Sequence, residues 1–120
     1  MKVALLAALS AIALAAAGCG GHGDPPVSCP QNLPASCVGT PPSYARDIKP
    51  IFDGVCTNCH APGGQMASVP FTTYAQIYGR RTTVLVQVDD CEMPPVNGPQ
   101  LTDAQRLTLM TWLVCEAPNN

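Results

Sequence analysis

Charge is scarce in this chain. Only 12% of its 120 residues are Asp, Glu, Lys or Arg, and six basic residues against eight acidic ones leave a net charge of −2. No run of Lys and Arg occurs anywhere, which argues against nucleic acid as a partner, because affinity for phosphates needs clustered cations. Aromatic residues make up 5%, with a single Trp, and there are only two His. Internal repeats are absent, so array and solenoid architectures are excluded. No apolar run is long enough to cross a bilayer: the longest, Val3 to Ala17, is about fifteen residues, where a spanning helix needs about 20. Without that stretch the remainder reads as an ordinary soluble chain, poor in charge and rich in Pro. What the chain has in excess is 13 Pro and seven Cys. So many cysteines mean metal sites in a reducing compartment, and bridges or covalent attachment in an oxidising one.

The N-terminus decides between compartments. Met1-Lys2 is a short positive region, and Val3 to Ala17 is the apolar core of an export signal. It ends in Ala16-Ala17-Gly18-Cys19. Small residues directly before a Cys resemble the bacterial lipobox, in which cleavage before the Cys is coupled to lipid attachment at its sulfur. That resemblance implies a signal peptide over 1–18 and a lipid anchor on Cys19; the plainer alternative is a secretory signal cut nearby. Gly20 rather than Asp after Cys19 implies, by the same resemblance, the outer membrane of the cell envelope. Either route delivers the chain to an oxidising space.

Residues 19–43 are dominated by Gly and Pro and have almost nothing to bury, so the composition predicts a tether, semi-rigid where prolines cluster. Cys29 and Cys37 lie inside it, eight residues apart, and a short bridged loop is the simplest use for them. From Tyr44 the pattern changes. Ile48, Ile51, Phe52 and Val55 have helical spacing, predicting a helix over about 48–57 with Pro50 in its first turn. A second helix is expected over 73–79, ending at Gly79. Thr82 to Val88 is β-branched, which by propensity alone indicates a strand. Cys91 to Pro99 must be loop. Thr102-Asp103-Ala104-Gln105 is a capping box that opens a last helix to about Cys115, with Leu107, Met110, Thr111 and Val114 as its inward stripe. The folded unit is then 44–120. A unit this small rarely stabilises itself by apolar burial alone; it needs bridges, a metal or a large cofactor.

Cys56-Thr57-Asn58-Cys59-His60 is C-x-x-C-H, the attachment signature for c-type haem. At a helix end, Cys at i and i+3 project to one side and can each form a thioether with a haem vinyl. The adjacent His then supplies an imidazole to the iron. Three other readings use the same residues: a thioredoxin-like thiol pair, which wants a βαβ context; a zinc site, which lacks ligands at zinc spacing; and a simple Cys56–Cys59 disulfide. For a sixth iron ligand the unit offers Met66, Met93 and Met110. Met66 is six residues after His60, close along the chain to reach the other haem face, and Met110 suits core filling. Met93, followed by Pro94-Pro95, sits in a loop that those prolines restrict. His/Met ligation raises the haem potential and closes the iron to small ligands, which points to electron transfer.

Residues 44–120 resemble a small monohaem cytochrome c domain of the class I type. The resemblance rests on Asp47-Ile48-x-Pro50-Ile51-Phe52, Cys56-x-x-Cys59-His60, Met93-Pro94-Pro95, and Leu101-Thr102 with Gln105, Leu109 and Trp112-Leu113. It implies an all-α fold of three to five short helices wrapped round one haem, with the first and last helices crossing and Trp112 near the haem edge. It also implies that Thr82 to Val88 is helix or irregular. Haem c would be held by Cys56 and Cys59 and ligated by His60 and Met93. One feature departs from the common pattern: Cys91 and Cys115 are left over. With Cys19 lipidated and two Cys on haem, four thiols remain, and four Cys allow three pairings. Chain order favours Cys29–Cys37 with Cys91–Cys115, the second clamping the Met93 loop to the last helix.

Arg80-Arg81 could meet a haem propionate or an acidic partner, or be a solvated helix end. His22 lies in the tether. Asp89, Asp90 and Glu92 could steer a basic partner or simply be a solvated loop. The expected protein is a monomeric, membrane-anchored electron carrier of the cell envelope, not an enzyme, whose partners are redox proteins. A haem-based sensor of small ligands and a haem-free, disulfide-stapled structural lipoprotein are the competing readings.

Overall fold

The computed structural model describes residues 29–120. The expected signal peptide over 1–18, the expected lipidation site Cys19, the first part of the expected tether and His22 lie outside the described residues. Among the described residues the fold is helical with no strand, in keeping with the expected all-α class. No helix among them is long and apolar enough to cross a membrane.

The first helix, α1, covers residues 44–56. Wide turns at Tyr44–Ile48 and Phe52–Cys56 flank a single α-turn at Lys49–Ile51. Pro50 has no N–H to give to the ladder, and the amides on either side reach back five residues, Ile48 to Ser43 and Thr57 to Phe52. The helix starts four residues before the spacing predicted, because side chains satisfy its first amides: the Ser43 N–H donates to the Asp47 carboxylate, and the Tyr44 N–H donates to Asn120 Oδ1. Its predicted apolar stripe is the buried one: Ile48, Ile51, Phe52 and Val55 are all in the core.

Tyr74–Tyr78 forms α2, opened by a capping box between Thr73 and Gln76. Arg81–Asp89 forms α3. The β-branched run Thr82 to Val88 is thus helix, not the strand that propensity indicates. Burial of Val84 and Val88, one helical turn apart, overrides the intrinsic preference. Asp103–Val114 forms α4, opened by the predicted Thr102/Gln105 capping box. Its inward face is rotated from the expected stripe. Arg106, Leu109, Met110 and Leu113 are buried, while Leu107 is 47% exposed. Trp112, fully buried, sets that rotation: its ring stacks on Tyr44 at 5.9 Å and its Nε1–H donates to the Pro118 carbonyl. α4 packs against α3 and against the first turns of α1, and α2 packs against α3.

The disulfides correct two expectations. Cys29 pairs with Cys91, and Cys37 pairs with Cys115; neither Cys29–Cys37 nor Cys91–Cys115 forms. Residues 29–37 lie as a strap from the end of α3 to the end of α4, with Pro30 and Pro34 keeping it from folding back on itself. Each of its cysteines meets the body cysteine at its own end. Chain order favoured short loops, but the sequence separations are 62 and 78. Long loops remove more denatured-state entropy, about 4 kcal/mol for either bridge taken alone against about 2.5–3.5 kcal/mol for the short ones. The segment from Cys29 onward therefore belongs to the folded unit rather than to a free tether.

Candidate haem-binding site

The end of α1 places the site. Thr57 and Asn58, the two variable residues of the C-x-x-C-H motif, donate their side chains to the carbonyls of Asp53 and Gly54. They thereby satisfy acceptors that the helix end would leave open. The chain then turns tightly, with the Cys59 and His60 amides both on the Cys56 carbonyl. Cys56, Cys59 and His60 come out on one wall of a cavity of about 400 Å³. Gly64 makes the turn possible, since a Cβ there would stand 2.3 Å from the Cys59 carbonyl oxygen.

His60 is oriented from behind. Its Nδ1 lies 2.7 Å from the Val69 carbonyl. A carbonyl only accepts, so Nδ1 carries a proton, and in the neutral ring Nε2 is then the nitrogen with the lone pair. Phe71 stacks on the imidazole at 4.5 Å, and Phe52 meets Phe71 edge-on at 5.7 Å. The ring is fixed in plane and in tautomer, as metal-binding imidazoles commonly are. Neither Val69 nor Phe71 was singled out in the sequence. Their contribution is a backbone carbonyl and a ring position, for which residue type carries no signal.

The motif cysteines are both free thiols. Burial pushes the Cys56 thiol up to about 12, so at neutral pH it is protonated and a poor nucleophile. That is the reverse of what a thiol-redox pair requires.

The rest of the cavity lining comes largely from α3, the loop after it and α4. Val84, Val88 and Leu109 supply apolar wall, and Met93, Pro94 and Pro95 line the same space. Met93 is half-buried, its amide tied to the Gln87 carbonyl at 3.0 Å. Met66 also lines the cavity but is 40% exposed, and its amide bonds the Cys59 carbonyl, which keeps it on the His60 loop. Met110 is fully buried in the core and does not reach the cavity. Nor does Trp112, which the resemblance placed near a haem edge. The two arginines separate: Arg80 lines the cavity, whereas Arg81 stacks over Tyr78 at 4.2 Å. Among the described residues no three His, Cys, Asp or Glu side chains form a group able to hold a metal ion by themselves.

No protein-family model, curated protein or solved structure matches this chain.

Proposed function

We propose that the cavity holds one covalently attached c-type haem and that the chain is a cytochrome c-like electron carrier. The observation that carries the reading is the convergence of two thiols, an imidazole with Nε2 free and a thioether on one apolar cavity. A bare metal would need more protein ligands than this. An iron that already has four ligands from a macrocycle needs only two, and His60 Nε2 and Met93 Sδ are of the right kind. Cys56 and Cys59 would fix the group. Each S–H would add across one vinyl double bond, sulfur to one carbon and hydrogen to the other. When bound, the haem iron supplies one-electron transfer.

The rest is done by the chain. The Val69 carbonyl holds the Nδ1 proton and keeps Nε2 a donor to iron. Phe52, Val84 and Leu109 exclude water from the cavity, which favours the less charged ferrous state. Pro94 and Pro95 restrict the Met93 loop. With His60 and Met93 both on the iron, no coordination position would be open to a substrate, which favours a carrier over an enzyme. The export signal and Cys19 support a lipid-anchored location in the cell envelope, with redox proteins as partners.

The test is a pyridine haemochrome spectrum of the full chain produced with a c-type haem maturation system. Bands of a haem with both vinyls saturated, retained through acid-acetone extraction, are expected. A colourless chain would overturn the reading and leave a disulfide-stapled lipoprotein. Rapid carbon monoxide binding by the reduced protein would instead favour a ligand sensor.

A further inference from the structure

Arg106 is the one charged side chain among the described residues that is fully in the core, at 6% exposure. A buried guanidinium is costly unless its donors are met, and here they are met from two separate pieces of chain. It donates to the Val88 carbonyl and, at 3.1 Å, to the Asp89 carbonyl, and it pairs with the Asp89 carboxylate at 3.7 Å. It also donates to the Pro30 carbonyl at 3.2 Å and to Asn32 Oδ1 at 3.3 Å. One planar fork on α4 therefore ties the last carbonyls of α3 to the N-terminal strap.

The end of α3 leads directly into the Met93 loop. The Cys91 amide bonds the Val88 carbonyl and the Met93 amide bonds the Gln87 carbonyl. Between them Cys91 has φ +57°, a left-handed conformation that a non-glycine residue keeps only when its surroundings enforce it. The Cys29–Cys91 bridge and Arg106, which grips the chain beside Cys29 at Pro30, are those surroundings. Cys37–Cys115 staples the other end of the strap and touches none of this.

Building on the haem reading, we infer that Arg106, together with the Cys29–Cys91 bridge, is the positioning device for the sixth ligand. It acts through the α3 terminus to keep Met93 at the iron and is not itself in contact with it. The fixed five-donor geometry is the reason for Arg, since Lys has one point of attachment and cannot hold strap and helix end together.

The experiment uses the haem-loaded full chain as wild type, R106Q, R106K, the C29S/C91S pair and the C37S/C115S pair. Each is heated while two signals are followed: the ferric thioether-to-iron charge-transfer band and the far-ultraviolet helix signal. Carbon monoxide binding to the ferrous protein is measured at a temperature where all are helical. In R106Q and C29S/C91S the thioether band is expected to vanish below the helix melt, and carbon monoxide to bind about tenfold faster, as the loss of one or two charge-assisted hydrogen bonds implies. R106K should fall between R106Q and wild type. In C37S/C115S both signals should move down together, with the carbon monoxide rate unchanged. Should R106Q not fold, R106K and C29S/C91S carry the test. Loss of the band only with the helix signal in every variant would make Arg106 a structural residue and overturn the inference while leaving the haem reading intact. A wild type with haem bands but no thioether band would also overturn it. A colourless wild type would overturn both.

Discussion

The two walls of the cavity are built in different ways. The His60 wall is made by one continuous piece of chain, residues 52–71. There the motif cysteines, the imidazole, the carbonyl that orients it and the ring that stacks on it all lie within twenty positions. The Met93 wall is held together by three separate pieces: the strap at Cys29 to Asn32, the end of α3 with the loop that continues it, and Arg106 on α4. A local wall is held by turns and short-range hydrogen bonds that survive fluctuations elsewhere. An assembled wall is only as firm as the tertiary contacts that gather it, so it is the part that loosens first.

If the cavity holds haem as proposed, single substitutions on the two walls should differ in kind. His60→Ala should abolish stable haem incorporation, read as the yield of haem per chain after maturation. Met93→Ala should leave incorporation intact, open the iron to carbon monoxide, and lower the reduction potential on the order of 0.1 V, a fraction of the roughly 0.8 V that axial ligands span. The sign follows from the soft thioether, which favours ferrous iron. Equal haem yields in the two variants would erase the distinction between the walls.

Gly64→Ala probes the local wall without touching a ligand. A Cβ would meet the Cys59 carbonyl oxygen at 2.3 Å, and backbone must move to admit it. A loss of about 1–3 kcal/mol is expected in denaturant unfolding, as for other overpacked positions. Met93 ligation should be lost only together with the fold. A thioether band that vanished early in this variant would show the walls to be coupled.

The smallest effect concerns pH. The Cys56 thiol is raised by burial from 9.0 to about 12. Between those values an unfolded chain releases the proton and the folded one retains it, so stability falls as pH rises through the window, on the order of a few kcal/mol at most. Chain produced without haem maturation should show this loss. If haem is attached as proposed, mature protein would carry Cys56 as a thioether with no thiol to titrate, and its stability should not fall for this reason. Denaturant titrations at pH 9 and 11 compare them.

Much of the helical framework was legible. The Thr102/Gln105 capping box marks its helix because a side-chain oxygen and a short backbone distance are enough to start one. The 48, 51, 52, 55 spacing marks the buried face of α1 for the same local reason. α3 was not legible from propensity, since Thr82 to Val88 prefers extended backbone until Val84 and Val88 find a core. The face of α4 was misjudged by a fraction of a turn because the position of Trp112 is settled by Tyr44, nearly seventy residues away.

At the site the division is the same. The C-x-x-C-H residues and Met93 can be found in a linear string because their chemistry resides in side-chain type and short spacing. Residue order alone therefore determined which groups are on offer and where most helices begin. The tertiary structure decided which cysteines pair, that the Pro-rich strap joins the folded unit, and that the Arg106 guanidinium is buried. Those outcomes depend on which distant surfaces meet once the helices pack, and a contact between residues 29 and 91 or 32 and 106 has no local energy that spacing could reveal.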